Sequence, residues 1–84
     1  YSAAQLVEVN RNAIALLEEI RAEYATPETP VIISGCVGPR GDGYVPTAVM
    51  SAEEAERYHR PQIATFASTV ADLVTAMTMN YVQE

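Results

Sequence analysis

Apolar residues recur at steps of three and four along the first part of the chain. Leu6, Val9, Ala13, Leu17, Ile20 and Tyr24 follow one side of a helical wheel, while Glu8, Arg11, Glu18 and Arg21 fall mostly elsewhere. Ser2 and Gln5 precede this run at capping-box spacing, in which the hydroxyl takes a free backbone N–H and the glutamine reaches back. The pattern predicts an amphipathic helix from about Ser2 to Ala25. Pro27 and Pro30 end it, since proline lacks the N–H and disfavours helix in the residue before it. Val31, Ile32 and Ile33 are then β-branched and uninterrupted, as in a parallel strand covered on both faces, and this strand is expected to end near Cys36.

From Val37 to Met50 neither period is present, and Gly38, Pro39, Gly41, Gly43 and Pro46 punctuate a long loop of the kind that often carries function. Ser51 and Glu54 make a second capping box ahead of Ala55, Tyr58, Ile63, Phe66, Ala67 and Val70 at helical spacing. Pro61 interrupts this run, which predicts a kink, or a short helix to about His59 with a fresh start that has Pro61 in its first turn. Leu73, Val74, Ala76 and Met77 predict a second buried strand from about Asp72 to Thr78. The order is helix, strand, loop, helix, strand, an α/β arrangement with parallel strands around one βαβ unit. Such a unit cannot cover its own sheet, so further elements, or a second copy, are expected to pack on it.

Composition narrows the partners. The 84 residues carry a net charge of -6 and only five basic side chains, scattered along the chain, so no basic stripe exists for nucleic acid or an anionic membrane. The hydrophobic share of 49% against 19% charged residues demands a packed core rather than disorder. No run of about twenty apolar residues is present to span a membrane. The single cysteine makes no internal disulfide and cannot by itself hold zinc, which takes three or four protein ligands. A cytoplasmic origin is the expectation. The chain starts at Tyr1 directly before a helix signal and stops at Glu84 as a polar, helix-compatible stretch begins, so it reads as a piece of a longer protein.

The loop residues "GPRGDG" could suggest a phosphate cradle, but Tyr44 to Met50 separate them from the next helix, whose N-terminus would have to hold the phosphate. The tripeptide Arg40-Gly41-Asp42 is short enough to arise by chance as an adhesion signal. Cys36 reads as a small packing residue at a strand end. His59 has no carboxylate or thiol at metal spacing and reads as a packing or helix-cap residue. Met77 and Met79 share a face under strand alternation, with Met77 assigned to the core, and Asn80 and Tyr81 follow at the strand's C-terminal mouth, where ligands bind in α/β sheets.

Three stretches, "ISGCVGPRGDGYVP", "MSAEEAERYHRPQI" and "ADLVTAMTMNYVQE", carry a Gly-x-x-Gly-Pro loop, a Tyr-His-x-Pro-Gln turn and an Asp-Leu-Val strand in one order and spacing. Together they resemble an internal segment of bacterial homocysteine S-methyltransferases, and the likeness covers nearly the whole chain, with the first helix least specific. The resemblance implies a fragment of a (β/α)8 TIM barrel, with residues 1–84 running from about the second helix to the fourth strand. It implies methyl transfer to a thiol, homocysteine to methionine in type, with zinc held by cysteines of the full-length parent that lie outside this chain. The partners implied are a small thiol and a methyl donor: a sulfonium, a betaine or a methylated cofactor.

Gly38 and Pro39 match the family's loop on the active-site face, and Thr78 and Asn80 stand at the barrel mouth as candidate substrate-binding residues. No catalytic residue and no metal ligand is expected within the chain. Met77 stands where many members place a glutamate against the substrate amino group, a departure that leaves the identity of the thiol open. The reading from a different class is a non-catalytic α/β module that self-associates, or docks on a partner chain, through its exposed strands.

Overall fold

The computed structural model describes residues 1–84 and contains α1 (Ala3–Tyr24), β1 (Ser34–Val37), α2 (Ala52–Ala67) and β2 (Leu73–Ala76). The two strands pair in parallel, with Ser34 opposite Leu73 and Val37 opposite Ala76. Both helices begin as their capping boxes require. The Ser2 hydroxyl accepts from Gln5 N–H at 3.2 Å while Gln5 Oε1 accepts from Ser2 N–H at 2.8 Å, and Ser51 and Glu54 repeat the exchange at 3.2 and 2.9 Å. Glu53 and Glu54 in the first turn of α2 also favour its positive N-terminal end.

Four corrections to the sequence pattern have physical causes. Helix α2 runs unbroken through Pro61 instead of restarting there, and ends at Ala67. Pro61 and Arg57 lie on its exposed side, where the carbonyl that proline cannot serve can turn to water. Strand β1 begins at Ser34, one residue beyond the Val31–Ile33 run. Ile33 N–H is taken by Asp72 Oδ2 at 2.9 Å, so an aspartate side chain, rather than a ladder bond, receives the chain at this point.

The sheet is covered on one face only. Gly35 and Val37 are buried towards α2, whereas Ser34, Cys36 and Thr75 occupy the opposite face, where the Ser34 and Thr75 hydroxyls lie 2.6 Å apart and Cys36 is exposed rather than packed. The apolar stripe of α1 is likewise turned. Asn10 and Ile14 are buried, while Val9 and Tyr24 are 47% and 65% exposed, because the side facing α2 is fixed by a Gln62 Nε2–H to Asn10 Oδ1 bond of 3.0 Å.

The core is small: Ile14, Ile33, Val37 and Phe66, with Ala71 and Met79 against them. Its tightest point is Gly35. A Cβ there would lie 2.6 Å from Phe66 Cγ, so the aromatic ring sits directly on bare backbone. The Cα radius of gyration is 14.8 Å, against about 12 Å for a closed domain of this length. The chain is therefore an open set of layers. No helix is long and apolar enough to cross a membrane.

Replacing Gly35 by Ala is expected to lower the free energy of unfolding by about 1–3 kcal/mol through overpacking against Phe66. Urea denaturation measures this, and an unchanged midpoint would contradict the contact.

Candidate active-site mouth

Because β1 and β2 are parallel, the loop after β1 (residues 38–51) and the segment after β2 (residues 77–84) emerge at the same end of the sheet. Residues of the second segment hold the first by its main chain. Asn80 Nδ2–H donates to Asp42 C=O at 3.2 Å, the Tyr81 hydroxyl accepts from Met50 N–H at 3.1 Å, and Glu84 Oε1 accepts from Arg40 N–H at 2.7 Å. The loop also braces itself: Asp42 Oδ1 accepts from Tyr44 N–H at 2.8 Å in an Asx turn, and Gly41 adopts φ +87°. The acidic member of Arg-Gly-Asp is thus turned into its own loop.

Of the four residues singled out in the sequence, three converge. A Cβ placed on Gly43 would lie 3.3 Å from Thr78 Oγ1 and 3.6 Å from Pro39 Cγ, so Pro39 and Thr78 both border this glycine, and Asn80 anchors the residue beside it. Gly38 stands in open space with nothing near its Cβ position and does not join them.

Thr78 has φ +57°, a left-handed conformation that costs a β-branched residue about 1–2 kcal/mol. This turn also ends the strand alternation. Met79 swings onto the core, while Met77, assigned to the core from the sequence, is 52% exposed. Asn80 Oδ1 is buried without a protein donor, which leaves an acceptor beside a small cavity of about 70 Å³ between the loop and residues 80–81.

His59, read as a packing or helix-cap residue with no carboxylate or thiol at metal spacing, is buried and has a carboxylate partner from a distant part of the chain. Its Nε2 lies 2.8 Å from Glu84 Oε1, and the two side chains are 8% and 0% exposed. Burial, the largest influence on Glu84, works to raise its pKa, but the Arg40 N–H, the bond and charge of His59 and the Tyr81 hydroxyl together outweigh it, so the net shift is downward. Glu84 is therefore ionised and His59 Nε2 carries the proton it donates. Residues 25 positions apart in sequence gave no spacing signal for this pair. The only hint was that both fall in stretches already notable for other residues.

A concavity of about 480 Å³ borders this pair: it runs beside α2 along Ala52, Ala55 and Ile63, with Val37, Ala76 and Met79 opposite and His59 and Glu84 in its wall. Its apolar part, walled by a helix face and the helix-covered side of the sheet, has the form of a seat for another packing element, and Glu56, Arg60 and Gln83 stand with the His59–Glu84 pair on its polar part.

No three His, Cys, Asp or Glu side chains come together as a metal-binding group, and exposed Cys36 stands on the face of β1 away from α2 without such partners. These residues do not form a zinc site. A family model described as Homocysteine S-methyltransferase matches residues 1–84. No curated protein and no solved structure matches the chain.

The lowered pKa of Glu84 means that its ionised form adds stability above the ordinary glutamate value, and that this contribution is lost as the pH falls through the folded-state value. Glu84→Gln is expected to be less stable than the parent near neutral pH and to converge with it in acid. Glu53, also lowered by a backbone N–H and by Ser51, is untouched by this substitution. Denaturation midpoints across the acid range provide the check, and parallel curves would contradict it.

Proposed function

Because the chain belongs to the homocysteine S-methyltransferase family, we propose that it forms the second helix through the fourth strand of a (β/α)8 barrel whose complete form transfers a methyl group to a thiol. The observation that carries this reading is the strained Thr78, held with Pro39 and Asn80 at the C-terminal end of parallel strands. Strain of this kind persists where surrounding structure enforces it, and it clusters at ligand sites. The alternation of helices and parallel strands, and a sheet whose second face is bare and bears Ser34, Cys36 and Thr75, support a barrel wall whose inner side is closed by further strands.

Methyl transfer needs the acceptor sulfur as a thiolate, and zinc, when bound, supplies this by lowering the thiol pKa. The donor set within residues 1–84 does not fit that ion, so its ligands belong to other parts of the parent. The role of this segment is to bind and orient. Pro39 and Thr78 shape one wall of the acceptor pocket, Gly38 leaves the approach open, and Asn80 Oδ1 offers an uncharged acceptor to a donor group of the substrate. Met77 at the end of β2 brings no charge to an ammonium group, which gives Asn80 the greater share of that recognition. The methyl donor is a sulfonium, a betaine or a methylated cofactor, and the setting is the thiol-keeping cytoplasm.

A second reading, a non-catalytic module that self-associates or docks on another chain, draws on the open sheet, where Ile32 is 63% and Leu73 47% exposed. Barrel neighbours would cover the same residues.

The test uses the complete gene product loaded with zinc, supplied with homocysteine or another small thiol and each donor class in turn, with the methylated thiol read by mass spectrometry. Methyl transfer is expected. Asn80→Ala is expected to raise KM for the acceptor about tenfold with kcat little changed, the loss of one hydrogen bond to a charged group. Absence of methylated thiol with every donor class would sink the catalytic reading, and concentration-dependent assembly of an inactive product would favour the second.

A further inference from the structure

The geometry points to His59 as a positioning residue for the mouth loop, acting through Glu84. Its catalytic meaning rests on the methyltransferase reading, while its structural content does not. One oxygen, Glu84 Oε1, accepts both the His59 Nε2–H at 2.8 Å and the Arg40 N–H at 2.7 Å, and the whole Glu84 side chain is shielded from solvent. The other oxygen, Oε2, is buried with no hydrogen-bond partner, so the bonds of the carboxylate are concentrated on Oε1. Removing the histidine takes away its charged partner and leaves the buried carboxylate with the Arg40 N–H and the Tyr81 hydroxyl alone, and such a group moves towards water or takes up a proton.

Whatever moves Glu84 moves the loop. Arg40 docks on α2 beside the same histidine: its guanidinium carbon lies 5.8 Å from the Tyr58 ring centroid, Tyr58 meets His59 edge-on at 4.9 Å, and Arg40 Nη2–H reaches Ala48 C=O at 3.3 Å. The two other side-chain stays on the loop, from Asn80 to Asp42 and from Tyr81 to Met50, arise from the segment that ends in Glu84. His59 is the only side chain of α2 hydrogen-bonded to that segment, so it couples a rigid helix to both halves of the mouth. Pro39 adjoins Arg40 and borders Gly43, as Thr78 does, which places the candidate acceptor wall directly downstream of the clamp.

The experiment compares the complete gene product with its His59→Ala and His59→Gln variants, reading amide hydrogen exchange at Arg40 and Met50 together with KM and kcat for the acceptor thiol. In His59→Ala, exchange at Arg40 is expected to rise about tenfold or more, the loss of a charge-assisted bond, and KM to rise by a larger factor than kcat falls. His59→Gln, whose amide can still donate to the carboxylate, is expected to recover most of both. Unchanged exchange in His59→Ala overturns the clamp whatever the activity. Faster exchange with KM and kcat unmoved in an active enzyme overturns the positioning role. If the parent shows no methyl transfer, the catalytic reading fails by itself and the exchange data still decide the clamp. If His59→Ala does not fold, Glu84→Gln takes its place: a smaller rise in Arg40 exchange is expected, and none would overturn the assignment.

Discussion

The fold depends on a contact made possible by a missing side chain. Phe66 of α2 lies on the backbone of Gly35 in β1, closer than any Cβ would allow, and this seats the helix on the sheet at the middle of a four-residue strand. Burying such a ring contributes about 1.5–3 kcal/mol, and it joins Ile14 from α1 and Ile33 from the approach to β1 in the same cluster. With α2 fixed there, its N-terminal half reaches the mouth end of the strands, which carries His59 to Glu84 and Tyr58 to the Arg40 guanidinium. The packing centre and the candidate site are therefore linked by one rigid helix.

At the opposite end of the sheet Asp72 performs a parallel service. Its Oδ2 accepts from Ile33 N–H at 2.9 Å and from Arg21 of α1 at 3.2 Å, so one carboxylate joins the entrance of both strands to the first helix. The ion pair itself is partly exposed and contributes little. The bond to backbone sets the register, because it satisfies the donor that would otherwise begin the ladder one residue earlier.

Much of this was legible in the sequence. Both capping boxes are local signals, and both formed at Ser2 and Ser51 as spaced. Element order and the loop between the strands also followed from local pattern. Errors arose where tertiary partners decide. Pro61 is a helix breaker by propensity, yet packing of Thr65 and Phe66 carries α2 through it. Val31–Ile33 has stronger strand character than Ser34–Val37, but the aspartate waiting at Ile33 displaces the ladder. Met77 and Met79 were assigned by alternation, and a left-handed threonine between them breaks that period. Pro39 is singled out by resemblance and Thr78 and Asn80 by position, and these three lie together at one end of the strands, whereas Gly38, singled out with Pro39, stands apart. The His59–Glu84 pair was invisible, because two residues on different elements announce no spacing.

The distribution of polar groups across the sheet gives the last constraint. The helix side of the strand pair carries Gly35 and Val37, while its other side carries Ser34, Cys36, Thr75 and the exposed Leu73: one side accepts a helix, and the other, small and partly polar, is left bare. In the proposed barrel the second side would face inward, with its strand ends opening on the mouth. Thr78, held against its conformational preference, stands where the C-terminal end of the sheet meets the loops. The strain is sustained because Gly43 lies close against Thr78 on one side, Met79 is drawn onto the core on the other, and Asn80 ties the next turn down. On the proposed barrel reading, this strained turn determines where an acceptor lies relative to chemistry supplied by the other elements.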